Sequence, residues 1–199
     1  MVDLISIIIL HYNNFSILDS CLKYLMKTNN KNFEIIVVDN ASNDNSVELL
    51  KEKYPKIKII VNKKNYGYAK GNNIGAKYAK GKYLVFLNND VNVDKNWLRE
   101  LVKSAKKENL AVCQPKILSL KDKNRFDDAG AAGGFFDLYG YSICRGSILD
   151  NFEIEKGQYN DSIEIFWAGG AAFFIDKNIF NKAGGFDENH FLYYDEADL

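Results

Sequence analysis

The first 112 residues alternate between short apolar runs and longer segments in which apolar residues recur with a helical period. Four apolar runs, rich in β-branched and aromatic residues, predict buried strands over residues 4–10, 33–39, 57–61 and 83–87. Apolar residues spaced three or four apart predict helices over residues 17–26, 47–53, 69–79 and 97–105. Asp94 is placed to act as the N-cap of the last of these helices. This alternation predicts an α/β fold with a mostly parallel, Rossmann-like central sheet flanked by helices.

After about Cys113 the alternation breaks. Residues 127–141 are rich in glycine and aromatic residues, which predicts an irregular segment. Residues 164–176 predict a strand, a glycine interruption and a second strand. A short helix then follows, with Asp176 as its N-cap and a stop at Gly184-Gly185. We interpret residues 1–199 as one domain, in which residues 1–112 form a nucleotide-binding half and residues 113–199 a smaller, mixed second half.

Polar side chains follow each of the four predicted strands of the first half. They occupy residues 11–14, 39–40, 65–73 and 88–90. In parallel sheets, ligands bind beyond the carboxyl ends of the strands, near a switch in strand order. Polar residues also cap helices, so one cluster alone is weak evidence. Four clusters at equivalent strand ends predict a binding site at that edge of the sheet.

Two aspartates in these clusters have both a structural and a chemical interpretation. Asp39 suits a helix N-cap or an Asx turn, and it equally suits a carboxylate that accepts the imide N–H of uracil or thymine. Asp90 suits a turn with Asn88 and Asn89. With the amide oxygens of those two residues and the phosphate oxygens of a substrate, it also suits a site for Mg²⁺ or Mn²⁺.

Three glycines, Gly67, Gly71 and Gly75, recur four residues apart in the third predicted helix and the loop before it. The spacing matches neither the dinucleotide fingerprint nor the P-loop, and no GxGxxG follows the first strand, which disfavours a Rossmann dehydrogenase. It predicts a close approach between the helix backbone and a neighbouring element. Asn72 and Asn73 are poor interior helix residues, which suggests hydrogen bonds to a partner at the helix start.

The last residues of the chain, 186–199, combine carboxylates with aromatic side chains. Asp195 and Glu196 suit the solvated start of a helix, where the helix dipole favours negative charge. Set among aromatic rings, one of them also suits a general base, because lost solvation raises the proton affinity of a carboxylate. The polar–apolar pattern stops at Leu199 without a terminating signal, so we expect further residues beyond it.

Composition excludes several classes of protein. The 26 basic and 26 acidic residues give a formal net charge of +0, which argues against a nucleic-acid partner. No apolar run approaches the roughly 18 residues that a membrane helix needs, and residues 1–9 lack the charged prelude of a signal peptide. The three cysteines form no CxxC pair and the two histidines lack zinc-site spacing. We expect a cytoplasmic protein.

Six blocks of sequence occur in the order that is typical of one enzyme family. They are SIIILHYNN, IIVVDNASNDNS, NYGYAKGNNIGA, YLVFLNNDV, WAGGAAFFIDKNIFNKAGGFDE and YYDEADL. Together they resemble family 2 glycosyltransferases of the GT-A fold, and most of all the rhamnosyltransferase-like branch. The resemblance implies an inverting, metal-dependent transfer of a sugar from a UDP- or dTDP-type donor to an acceptor hydroxyl in glycan or polysaccharide synthesis.

The resemblance also implies partners and a location. The acceptor is expected to be a glycan, a lipid-linked or another hydroxyl compound, and the cofactor Mg²⁺ or Mn²⁺. Peripheral association with the inner face of the membrane is expected through residues beyond this chain. An alternative from a different class is a catalytically weak sugar-nucleotide-binding module of a larger synthase.

Matching the family's motifs residue by residue implies a role for each position. The nucleotide-binding positions are Tyr12, Asn13, Asp39, Asn65, Gly67, Asn73, Asn88 and Asn89. The donor-sugar and acceptor positions are Trp167, Gly169 and Gly170. Asp90 takes the place of the last, metal-contacting acid of the DXD motif, and Asp195 and Glu196 take the place of the catalytic pair, with Glu196 as the base. Asn88 replaces the first acid of DXD, so metal affinity is expected to depend on the nucleotide.

Overall fold

The fold is seen in a computed structural model that describes residues 3–148, 151–191 and 199. The first half of the chain contains four strands and four helices in alternation, as predicted. The strands are β1 (Ile5–His11), β2 (Phe33–Asp39), β3 (Lys58–Val61) and β4 (Tyr83–Leu87). The helices are α1 (Phe15–Met26), α2 (Ser46–Lys53), α3 (Tyr68–Lys77) and α4 (Trp97–Glu108).

The second half contains shorter elements. They are β5 (Val112–Cys113), β6 (Gly134–Phe136), β7 (Ser142–Cys144), β8 (Ser147–Ile148), β9 (Asn151–Phe152), β10 (Ala172–Asp176) and α5 (Lys177–Ala183). The predicted cap of α5 is confirmed, because the Asp176 carboxylate accepts the N–H of Asn178 at 2.8 Å, and Gly184 ends the helix with φ 97°. None of the described helices is long and apolar enough to cross a membrane.

Two predictions about local structure were wrong, the N-cap of α4 and the first strand of residues 164–176. The N-cap of α4 is Asn96, whereas the Asp94 carboxylate accepts the Asn96 N–H at 2.7 Å and so closes a turn before the helix. Residues 127–141 form neither a helix nor a single turn, as expected, and they contain the short strand β6. Of residues 164–176, only the last five form a named strand, β10.

The main sheet has six strands in the order β3-β2-β1-β4-β10-β5. Strands β1 to β4 are mutually parallel, whereas β10 is antiparallel to both of its neighbours. The predicted, mostly parallel sheet is therefore confirmed. The chain adds β2 and β3 on one side of β1 and β4 on the other, so the strand order switches between β1 and β4. Strands β6 to β9 form a second, antiparallel sheet.

Alternate residues of β1 face opposite layers of the core. Ile5, Ile7 and Ile9 pack with residues of α1 and α4, whereas Ile8 packs with α3 and with aromatic residues on the other face. On that second face the ring of Phe86 contacts three others, with its centroid 4.8 Å from Phe186, 5.0 Å from Phe180 and 6.2 Å from Phe173. Both faces of the sheet are thus covered, and the carboxyl ends of β1, β2 and β4 are fixed at one edge.

Helix α3 lies unusually close to the sheet. A Cβ atom on Gly75 would stand 2.5 Å from Cγ2 of Ile8, and one on Gly71 would overlap the side chain of Leu10. The close approach that the glycine spacing predicts is therefore confirmed. It brings the start of α3 next to the carboxyl end of β1.

Candidate functional site

The polar residues that follow β1 and β4 meet across the point where the strand order switches. His11 ends β1, and its imidazole is only 1% exposed. Asn89 follows β4, and its amide Nδ2 lies 3.0 Å from Nδ1 of His11. Burial lowers the pKa of His11, although the nearby charges of Asp39 and Asp44 act to raise it. Burial thus favours the neutral form of the ring.

The loop after β1 is bound to the loop after β2. Asn13 and Asn14 both have left-handed backbone conformations, with φ 57° and 62°. The Asn13 N–H donates to Oγ of Ser42 at 2.8 Å, and the Asn13 side-chain oxygen accepts the N–H of Asn43 at 2.9 Å. These bonds fix the loop around Tyr12, whose ring is 48% exposed and so presents an aromatic face to a ligand.

The carboxylate of Asp39 lies at the end of β2 and is 1% exposed. Its two oxygens accept hydrogen bonds from Ser42, one from the hydroxyl at 2.5 Å and one from the backbone N–H at 3.0 Å. The structural interpretation, a turn closed by Asp39, is thus present in the fold. A carboxylate has about four lone-pair positions, so Asp39 keeps the capacity to accept a further N–H.

Asn40, which the sequence did not single out as a site residue, joins the end of β2 to the loop before α3. Its amide is 2% exposed. Nδ2 donates to Oδ1 of Asn65 at 2.8 Å and to the carbonyl of Gly67 at 3.2 Å. Oδ1 accepts from Nδ2 of Asn62 at 3.0 Å and from the N–H of Tyr66 at 3.1 Å. The structure thereby brings Asn65 and Gly67 to the same edge as Asp39.

Asn73 connects α3 to the segment before the terminal acids. Its Nδ2 donates to the carbonyl of Phe186 at 2.8 Å and its Oδ1 accepts the Phe186 N–H at 3.0 Å. Both ends of the amide are therefore occupied by the protein. The Tyr68 N–H donates to the carbonyl of Phe191 at 2.8 Å, so residues 186–191 run along the start of α3.

The neighbouring Asn72 behaves differently. Its side chain is 1% exposed, and among the residues that the structure describes its Nδ2 has no hydrogen-bond partner. A buried donor without a partner carries a desolvation cost, which a ligand group would remove. The signal in the sequence was an asparagine inside a helix, although Asn72 was not among the predicted nucleotide-binding positions.

Asp90 is exposed and borders a cleft of about 770 Å³. The cleft runs between the start of α4, at Trp97, and residues 115–129. Asp127 and Asp128 also line it. A hydrogen bond between these two carboxyl groups, together with burial, raises the pKa of Asp128. Lys116, Lys121 and Arg125 line the same cleft, so its wall carries charges of both signs.

The three residues that the sequence placed at the donor sugar and acceptor lie where the two sheets join. The Trp167 indole N–H donates to the carbonyl of Phe135 at 3.1 Å, and the ring lines a second cavity of about 830 Å³ on the other side of residues 115–116. Gly169 packs too closely against the backbone of the second half to accept a side chain. The Gly170 carbonyl accepts the Tyr68 hydroxyl at 2.9 Å. Thus the structure brings Gly170 to the start of α3 and does not bring Trp167 into the cleft.

The predicted catalytic pair, Asp195 and Glu196, lies outside the described residues. Within the described ranges, no three His, Cys, Asp or Glu side chains come together as a metal site. The donors after β4 are the carboxylate of Asp90 and the amide oxygens of Asn88 and Asn89. An all-oxygen set with one carboxylate suits Mg²⁺ or Mn²⁺, provided that substrate oxygens complete the coordination. The residues present therefore fit a cation that binds together with a phosphate-bearing ligand.

Two solved structures illustrate what the fold is similar to. GalNAc-T7, solved with UDP, GalNAc and Mn²⁺, superposes with a TM-score of 0.73 at 18% identity, covering 98% of this chain and 39% of that one. The mannosyltransferase PcManGT from Pyrobaculum calidifontis, solved with GDP-Man and Mn²⁺, gives 0.66 at 15% identity, covering 98% and 50%. Both are GT-A glycosyltransferases, so the predicted GT-A fold is confirmed.

Curated relatives share more sequence. The low-salt glycan biosynthesis hexosyltransferase Agl10 of Haloferax volcanii is 25% identical over 203 residues, which cover 100% of this chain and 61% of the relative. The chain spans less than two thirds of the length of the curated relatives that it matches. The sequence model described as glycosyl transferase family 2 matches residues 6–182. This match covers most of the chain, which therefore belongs to glycosyl transferase family 2.

Proposed function

We propose that this chain is an inverting glycosyltransferase that moves a sugar from a UDP- or dTDP-sugar to an acceptor hydroxyl in glycan or polysaccharide synthesis. One observation carries the proposal: polar groups from the ends of β1, β2 and β4 meet where the strand order switches, the position at which α/β sheets bind ligands. The glycan-synthesis role of Agl10 supports it.

The nucleotide lies against the loops after β1 and β2 in this proposal. The exposed ring of Tyr12 stacks on the base, and the buried carboxylate of Asp39 accepts the imide N–H that uracil and thymine share. Asn13 fixes the Tyr12 loop, while Asn65 and Gly67 form the facing wall through their bonds to Asn40. A guanine base also carries an N–H donor, so the preference for UDP or dTDP needs a direct comparison with GDP-sugars.

Asp90 and the amide oxygens of Asn88 and Asn89 hold the divalent cation in this proposal, in a site that the diphosphate completes. The bound cation supplies Lewis-acid stabilisation of the negative charge on the leaving diphosphate. Asp90 is the one formal charge that the chain places there, because amides occupy the two preceding positions. Metal affinity is therefore low without nucleotide and rises when the phosphate oxygens are present.

Glu196 acts as the general base and removes the proton of the acceptor hydroxyl while that oxygen attacks the anomeric carbon from the face opposite the diphosphate. Help of this kind contributes about 10²–10⁴-fold to the rate. Asp195 is the other acid of the pair. The segment that leads into these acids is held against α3 by Asn73 and Tyr68, which gives it a fixed starting point.

For the acceptor and the transferred sugar, the proposal names only a class of compound. The cleft that Asp90 borders has room for a sugar unit, and its charged side chains suit hydrogen bonds to hydroxyl groups. Gly169 and Gly170 shape the region between this cleft and α3, and Trp167 supports them from the join of the two sheets. The six sequence blocks favour a rhamnosyltransferase-like enzyme that acts on a glycan or lipid-linked acceptor at the cytoplasmic side of a membrane.

A binding and turnover experiment tests this function. Thermal unfolding is followed with UDP-, dTDP- and GDP-sugars, each with and without Mn²⁺, and release of nucleoside diphosphate is then measured with candidate acceptors. A ligand at 100 times its Kd stabilises the fold by about 2.7 kcal/mol, which such a scan detects. Asp90→Asn should abolish the Mn²⁺-dependent part of the stabilisation. Asp94→Asn, which changes another exposed aspartate in the same cleft, should retain it.

Turnover separates the enzyme from the alternative, a sugar-nucleotide-binding module. Glu196→Gln should lower kcat by about 10²–10⁴-fold and leave donor affinity unchanged. Donor binding without release of nucleoside diphosphate in any acceptor mixture would favour the binding module. An absence of Mn²⁺-dependent stabilisation by every donor would overturn the metal-dependent function.

A further inference from the structure

Within the described residues, His11 and Asn89 form the one hydrogen bond between a side chain at the end of β1 and a side chain that follows β4. Its geometry is fixed on the His11 side. The ring is 1% exposed, and the backbone pairs with Asp39 of β2 while its carbonyl accepts the N–H of Asn40 at 2.7 Å. The imidazole therefore has little freedom to turn, and Asn89 must adapt to it.

The contact determines the tautomer of the ring. An amide NH₂ donates hydrogen bonds and accepts none, so Nδ1 of His11, at 3.0 Å from Nδ2 of Asn89, has to be unprotonated. The proton of the neutral ring then lies on Nε2, which has no hydrogen-bond partner within the described ranges. Among the described residues, the one hydrogen bond of this ring is thus that with Asn89.

The same contact determines which end of the Asn89 amide is available to a ligand. With Nδ2 turned toward the ring, the carbonyl oxygen Oδ1 points away from His11, and the side chain makes no other hydrogen bond within the described ranges. The next residue is Asp90, which supplies a single carboxylate. A hard cation binds oxygen, whereas an NH₂ group in that place would turn its partial positive charge toward the cation.

We propose that His11 is a positioning residue that orients the Asn89 amide so that Oδ1, together with the Asp90 carboxylate, is presented to the divalent cation. The inference rests on the proposed function, because it concerns the same cation and diphosphate site. In this arrangement an uncharged amide substitutes for a second acid only while its oxygen faces the ligand. A ring protonated on Nδ1 would draw Oδ1 toward itself and present the NH₂ group instead.

The tautomer can be read without any ligand. Long-range ¹H–¹⁵N NMR of the ¹⁵N-labelled chain distinguishes a ring protonated on Nε2 from one protonated on Nδ1. The chain has two histidines, so a His190→Gln variant assigns the signals. At pH 7.5 His11 should show the neutral pattern with the proton on Nε2. A proton on Nδ1, alone or in a charged ring, would overturn the proposal.

Two substitutions of His11 test the consequence for the cation. In His11→Asn the side-chain oxygen is attached to Cγ, as Nδ1 is in histidine, and can still accept from Asn89. In His11→Leu no acceptor remains. Mn²⁺ affinity in the presence of UDP, measured by electron paramagnetic resonance, should fall about tenfold or more in His11→Leu and recover largely in His11→Asn, as is typical when a residue behind a metal ligand is lost.

The affinity for UDP without metal provides the control for a merely structural role. It should be equal in the wild type and both variants, because the proposal concerns the cation alone. Equal Mn²⁺ affinities in the two variants, or a parallel loss of metal-free UDP affinity, would overturn the proposal. If His11→Leu does not fold, the tautomer in the wild-type chain decides. If the wild-type chain binds no UDP with Mn²⁺, the proposed function fails, and the tautomer still decides whether His11 orients Asn89.

Discussion

The side chain of Asn40 offers the sharpest test of how the site is held together. Substitution by alanine removes four hydrogen bonds at once, those with Asn62, Asn65, Tyr66 and Gly67. Asn65 keeps one bond to its Oδ1, from the N–H of Gly67 at 2.9 Å. The Gly67 carbonyl still accepts the N–H of Gly71 at 3.2 Å, so the groups left without a partner are the Tyr66 N–H and one amide nitrogen of Asn62.

The cost follows from the burial of these groups. A buried polar group that loses its partner costs about 1–3 kcal/mol. The amide nitrogen of Asn62 loses its partner in a buried position, whereas Tyr66 is half-buried, so water partly replaces the lost bond of the Tyr66 N–H. We expect Asn40→Ala to lower the free energy of unfolding by about 3 kcal/mol. Donor affinity should also fall about tenfold, or roughly 1.4 kcal/mol, because the loop must then be ordered during binding.

Urea unfolding and calorimetric titration with UDP measure the two effects. The matched control is Asn45→Ala, because Asn45 is exposed and precedes α2 without a side-chain hydrogen bond. It should change stability by less than about 0.5 kcal/mol. Asn40→Asp keeps the shape and the acceptor oxygens but cannot donate to Asn65 and Gly67, so at pH 8 it should destabilise at least as much as alanine. If Asn40→Ala and Asn45→Ala have the same effect, the reasoning is refuted.

Two further predictions concern acid stability and the loop at α3. Burial alone would raise the pKa of Asp19, but hydrogen bonds that include those from Lys23 and Lys53 lower it to about 2. The stabilising effect of the ionised carboxylate is therefore present above about pH 4 and is lost as the pH falls toward 2. In urea unfolding, the free energy of unfolding of the wild type should exceed that of Asp19→Asn by about 1–2 kcal/mol above pH 4, and this difference should shrink toward pH 2. A difference that stays constant over this range would contradict the prediction. Gly67→Ala and Gly140→Ala both place alanine at positive φ, 79° and 83°, but only at Gly67 would the new Cβ meet another residue. Thermal unfolding should therefore show Gly67→Ala to be less stable by about 1–3 kcal/mol, and equal melting temperatures would contradict the close contact.

The sequence predicted the elements of the first half well because their signals are local. A continuous apolar run is the direct consequence of a strand that is buried on both faces, and the bounds of β2 and β4 agree with the prediction to the residue. The wrong prediction in this half, the N-cap of α4, arose because two neighbouring polar side chains compete for the same role. Asp94 and Asn96 can both begin α4, and the turn that Asp94 makes with the Asn96 N–H leaves Asn96 as the cap.

The second half was less predictable because its structure depends on distant partners. Apolar residues near Trp167 suggested a strand, but Trp167 bonds to Phe135 and covers Gly134 of the second sheet instead of extending β10. Such contacts depend on how two sheets join, which periodicity along one segment does not contain. The same holds for β6, whose pairing with β7 organises a stretch that has the composition of a loop.

The location of the candidate site could be anticipated from the sequence, but its internal hydrogen bonds could not. Polar residues after parallel strands necessarily share one edge of the sheet, whatever the strand order. That His11 contacts Asn89 depends on β1 lying beside β4, and no local pattern gives that order. Both Asn40 and His11 belong to the polar clusters that predicted the site, but neither was given a role of its own.

These hydrogen bonds show a common chemical principle, since the site is organised mainly by neutral amides. Asn40 and Asn73 each have both ends of the side-chain amide occupied by the protein, whereas Asn89 has one end held by His11. A neutral amide can be buried at far lower cost than a carboxylate, so these bonds hold the loops in place while adding no charge beside the buried carboxylate of Asp39. Only Asp90 adds a charge directly after β4, so in the proposed function strong cation binding requires the phosphate oxygens of a donor. The amide-rich edge thus links cation binding to the presence of substrate.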